Sequence, residues 1–121
     1  MIGLIRPKRA IEPFQDDESD QEAESIEIKS LCAQASAFAG ACSSPSAGRR
    51  CPMYVRIRDT ALTKIDELEE GFYRDFSAFY AIEMCIAADE FTLAHELYRD
   101  LTSDYFRWKA GHEHPWLLIV H

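Results

Sequence analysis

The chain has 121 residues, with 13 Lys and Arg against 21 Asp and Glu and a net charge of -8. That length suits one domain with its own core, and a hydrophobic share of 47% beside 28% charged residues excludes wholesale disorder. The acid excess excludes a generic binder of nucleic acid or anionic membrane, and no run approaches the roughly 18 apolar residues of a bilayer span.

The first residues, MIGLIRPK, lack the apolar core of a signal peptide, so a cytoplasmic location is expected. Nine Arg against four Lys, together with 15 Ala, suggest a GC-rich, bacterial source. Residues 1–18 are expected to form a flexible N-terminal segment, because Pro13 and a run of acids follow the apolar start. The acids Glu12, Asp16, Asp17, Glu18, Asp20, Glu22, Glu24 and Glu27 form a block without a base. Such a block is a solvated face unless it folds back on a basic segment.

Residues 19–121 are expected to make a single, mainly α domain, a small helical bundle. A first helix is predicted at about 20–39, with Ile28, Leu31, Cys32, Ala35, Phe38 and Ala39 on one face. Residues 40–52, rich in small residues and Pro, read as a mobile loop. Met53, Val55 and Ile57 then alternate with Tyr54, Arg56 and Arg58, which predicts a short strand over 53–58 able to pair with the apolar run 116–120.

An antiparallel helix hairpin is predicted from about 60–88 and 89–110. Leu62, Ile65, Leu68, Phe72, Phe76, Phe79 and Ile86 share one face of its first arm. Phe91, Ala94, Leu97, Tyr98, Leu101, Tyr105 and Trp108 share one face of the second. Gly71 falls inside the first arm, and the two arms have nearly the same phase, so periodicity alone also allows one long helix. The stretch AIEMCIAADEFTLAHELYRDL resembles a tetratricopeptide-type helix pair, with small residues at the crossing. Only one copy is present, so the resemblance implies a helical hairpin and no peptide-binding solenoid.

Candidate chemistry is sparse. Cys32, Cys42, Cys51 and Cys85 contain no C-x-x-C pair and read as free thiols, although Cys42 and Cys51 flank the loop and could bridge it. Cys51-Pro52 matches the dipeptide of some haem-responsive proteins, too short to carry a cofactor assignment. No phosphate loop, HExxH, GxSxG or EF-hand pattern occurs, and no cofactor is expected. His95, His112 and His114 are weak metal candidates, because imidazoles this close in sequence could meet if the tail folds back. Glu83 falls near the middle of the face defined by Ile65, Phe72, Phe76 and Phe79, where a carboxylate would be either an acid catalyst or part of a partner site.

With no catalytic constellation, the expected function is that of a non-enzymatic regulatory or adaptor protein that binds another protein. A basic partner suits the acidic surface, and inhibition of a nucleic-acid-binding protein is one form this could take. The residues expected to contact the partner are Glu83, Tyr73, Tyr80, Arg49, Arg50, Arg56 and Arg58. Self-pairing of the aromatic face would instead give a homodimer. The alternative is a small metal-dependent or acid–base enzyme using Glu83, His95, His112 and His114.

Overall fold

A computed structural model describes residues 12–41 and 51–119, with side chains of the first helix described from residue 20 to residue 40. Among these residues the chain is mainly helical and contains no strand. Five α-helices follow in order: α1 (Glu12–Ala41), α2 (Pro52–Glu67), α3 (Phe72–Ala87), α4 (Phe91–Asp100) and α5 (Asp104–Glu113). A single 3-10 turn, Pro115–Leu118, closes the described chain.

The first helix starts well before its expected boundary: residues 12–18 are helical. Pro13 lies in the first turn, where its missing N–H costs no hydrogen bond, and acids near a helix N-terminus are favoured by the macrodipole. Further along, Ser25, Ile28, Cys32 and Ala35 are buried at helical spacing, and Ser25 Oγ donates to the Glu22 carbonyl at 2.7 Å. This stripe packs on both α2 and α3. Lys64 of α2 reaches back to Glu24 at 2.9 Å and Glu27 at 3.7 Å. The acidic block therefore meets a lysine here, and Arg49 and Arg50 lie outside the described residues.

The strand expected over 53–58 is the first part of α2. Pro52 occupies the first helical turn, and the Val55 N–H bonds to the Cys51 carbonyl at 3.0 Å. Its alternation was only six residues long. The burial of Tyr54, Ala61, Ile65 and Leu68 shows the 3.6-residue period, which outlasts it. The run 116–120 likewise forms no strand in its described part; Trp116–Leu118 belong to the 3-10 turn.

Neither arm of the expected 60–88 and 89–110 hairpin is continuous. The first breaks at Leu68–Gly71: Leu68 is extended, and Gly71 has φ +150°, a conformation that side-chain-bearing residues rarely adopt. The second breaks at Leu101–Ser103, where Leu101 turns extended and its N–H bonds to the Tyr98 carbonyl at 3.1 Å. Between the breaks, α3 and α4 form the hairpin that the tetratricopeptide resemblance implied, around a turn at Ala88–Glu90. Asp89 has φ +62° there. The Glu90 N–H bonds to the Cys85 carbonyl at 2.7 Å and the Asp89 N–H to the Ile86 carbonyl at 3.1 Å, the paired closure of a Schellman motif. Asp89 thus ends α3 and does not cap α4.

The centre of the bundle is α3, which contacts α1, α2, α4 and α5. Accordingly Ala78, Phe79, Ala81, Ile82, Met84 and Cys85 are all buried, on more than one face. Gly111 lies inside α5: a Cβ there would meet Leu118 Cδ2 at 2.9 Å, so the glycine admits the close return of the 3-10 turn.

Candidate functional site

Two carboxylates, Asp75 buried and Glu90 partly buried, hold the elements in place. Asp75 of α3, 3% exposed, accepts from the Thr102 N–H at 3.1 Å, from the Thr102 hydroxyl at 3.1 Å and from the Ser103 N–H. It thereby fixes the α4–α5 connection and supplies the acceptor that the start of α5 lacks within itself. Glu90 accepts from the hydroxyl of fully buried Tyr54 and from Arg58 Nη1 at 2.7 Å, joining the start of α2 to the α3–α4 turn. Burial, followed by the bond to Glu90, pushes the Tyr54 hydroxyl pKa far up. Neither group was singled out in the sequence, because an acid contributed from a distant turn leaves no local pattern.

The residues expected to meet a partner are placed differently. Arg58 is engaged by Glu90 and by Asp59 at 2.9 Å, whereas Arg56 is exposed. Tyr80 is half-buried against Phe76 and Phe79, with the Lys29 ammonium 4.9 Å above its ring. Tyr73 is also half-buried, edge-on to Phe72. Both tyrosines keep part of their side chains at the surface.

Glu83 is not sunk among aromatics. Its side chain is 37% exposed and meets His114 Nε2 at 2.8 Å. The expectation used a single helix running through Ile65, but Ile65 belongs to α2; after the break at Gly71 the phase restarts. In α3 itself Glu83 continues the half-buried stripe of Phe76 and Tyr80.

The histidines separate. His95 Nε2 lies 2.9 Å from the Leu117 carbonyl. His112 is exposed and stacks on Trp108, with ring centroids 5.1 Å apart. Among the described residues, His114 alone of the histidines joins potential metal ligands: atoms of Glu83, Glu113 and His114 lie within 4.8 Å of one another. Glu113 also pairs with Lys109 at 3.1 Å.

The described cysteines are no reactive set. Burial pushes the Cys32 and Cys85 thiols up to about 12, so neither is a thiolate nucleophile at neutral pH. Cys51 is disulfide-bonded, so of its two readings, free thiol or bridged, the second holds, and it has no thiolate for haem. Cys42 lies outside the described residues.

The surface around α5 and the 3-10 turn is apolar and open. Trp108, Leu118, Ile119 and Tyr105 are 63%, 61%, 56% and 57% exposed. Trp108 and Leu118 wall a groove of about 360 Å³ with Arg107, Gly111, His112 and Pro115. A second groove of about 450 Å³ lies between Phe91, His95, Arg99 and Trp116. Periodicity had placed Trp108 on the packed face, because it assumed that the phase of α4 ran on into α5. Comparison with protein families, curated proteins and solved structures finds no match to this chain.

Proposed function

We propose that this chain is a non-enzymatic module that binds another protein, and that the Trp108–Leu118–Ile119 face is its anchor. The observation that carries the reading is the exposure of Trp108 and Leu118, which wall one groove together, with exposed Ile119 next to Leu118 in the chain. Contiguous exposed apolar groups of this kind mark interaction sites, and a tryptophan next to an arginine such as Arg107 is the usual make-up of a binding hot spot.

The charge of the chain supports a basic partner. Asp66, Glu67, Glu69 and Glu70 are exposed around the α2–α3 connection, and among the described residues their basic neighbour is Arg74, 3.8 Å from Asp66. Charge of one sign steers a complementary surface and gives the association a salt-dependent rate. A nucleic-acid-binding protein whose phosphate-contacting groove this chain occupies is one such partner.

The test is affinity capture with the wild-type chain and with Trp108→Ser side by side, followed by reconstitution from pure components. The reading requires proteins retained by the wild type and lost by the variant, with affinity falling as salt rises. Identical captured sets for the two chains would overturn it. Concentration-dependent dimerisation abolished by Trp108→Ser would instead show the face to be occupied by a second copy.

A further inference from the structure

We propose that Glu83, Glu113 and His114 form a binding site for a divalent first-row transition cation of the zinc class. One oxygen or nitrogen from each residue falls within 4.8 Å of the other two. Bonds to zinc of about 2.0–2.2 Å put two ligands of one tetrahedral ion roughly 3.4 Å apart. Small rotations of partly exposed side chains close that difference.

The convergence comes from the fold. Glu83 projects from α3, and the other two ligands are consecutive residues. Consecutive residues of a helix diverge by about 100°, so Glu113 and His114 can share a point only where the helix ends. It ends there: His114 has φ -135° and ψ 77°, while its N–H still bonds to the Ala110 carbonyl at 2.8 Å.

Charge favours the same occupant. Two carboxylates meet at the C-terminal, partially negative end of α5. The ammonium beside them, Lys109, bonds Glu113 at 3.1 Å while lying over the Phe79 ring, 5.3 Å from its centroid, and would have to yield Glu113 to the ion. The imidazole decides the class of ion: magnesium and calcium take oxygen ligands, whereas one nitrogen with two carboxylates suits zinc and its neighbours. Glu83 and Glu113 are 37% and 41% exposed, which leaves the remaining coordination positions to water.

The experiment is calorimetric titration of the chelator-treated full chain with Zn²⁺, with Mg²⁺ as comparator, alongside thermal melting. One equivalent of Zn²⁺ should bind and raise Tm, and Mg²⁺ should do neither. Glu83→Gln, which keeps a hydrogen-bond acceptor for His114, and His114→Ala should each weaken Zn²⁺ binding at least about tenfold. His112→Ala should leave it unchanged. The proposal is overturned by no response to millimolar Zn²⁺, by binding indifferent to Glu83→Gln, or by loss on His112→Ala.

Discussion

Burial holds the thiols of Cys32 and Cys85 protonated well beyond their ordinary value of 9.0, up to about 12. The unfolded chain releases these protons first, so the linked stability is fully present below pH 9 and is lost as pH rises toward 12. The Tyr54 hydroxyl, raised by burial and by Glu90, acts with the same sign. Melting temperature should therefore fall across that alkaline range, and less steeply in a Cys32→Ala, Cys85→Ala variant. At pH 8 a thiol reagent should modify neither cysteine until the chain is denatured. Ser77 is the reverse case: fully buried, its Oγ has no hydrogen-bond partner among the described residues. Ser77→Ala removes an unmet desolvation cost and should stabilise by about 1 kcal/mol, read as a higher urea midpoint. The titratable residues that matter divide at this scale. Glu83 and His114 drew notice from spacing and clustering, whereas Asp75 and Glu90 owe their roles to partners 27 and 32 positions away.

Helix periodicity in the sequence was a good guide to which segments are helical and a poor one to where they stop. Leu68 and Leu101 continue the apolar phase of the helices they terminate, so the apolar pattern marks neither break, although Gly71 in the sequence signals the first. The first is made by the backbone of Gly71 and the second by the grip of Asp75 on Thr102 and Ser103. The strand reading of 53–58 failed for a related reason, since a six-residue alternation also fits a helix whose buried positions are widely spaced. Asp75→Ala would leave the Thr102 and Ser103 N–H groups and the Thr102 hydroxyl unmet, and should cost about 3 kcal/mol. Asp75→Asn, which retains an acceptor oxygen, should cost clearly less. Equal losses in chemical denaturation would show that Asp75 fills space and does not organise the connection.

At the scale of the whole molecule the helical bundle and its α3–α4 hairpin were legible, but the placing of the other helices around α3 was not. That α3 is the central helix follows from contacts with four neighbours, and its composition announces little more than an apolar, aromatic segment. The open apolar end around α5 was hidden for the same reason, because face assignment needs a known phase. The last helix is held mainly through rings, with Phe106 lying 5.5, 6.4 and 6.0 Å from Phe72, Phe76 and Phe79. Its N-terminal connection is held by the Asp75 carboxylate and by Arg107 Nη1, which donates to the Leu101 carbonyl at 2.9 Å. Regions joined by few contacts open below the global unfolding free energy, so amides of 104–113 should exchange faster than those of 78–85. Hydrogen exchange would measure this directly, and equal protection would count against it.

Both tryptophans of the chain, Trp108 and Trp116, belong to this terminal unit. Intrinsic fluorescence therefore watches one corner of the molecule, while far-ultraviolet circular dichroism sums over every helix. A melt followed by the two signals doubles as a spatial map: if the fluorescence midpoint precedes the dichroism midpoint, the corner has let go while α1, α2 and α3 still stand.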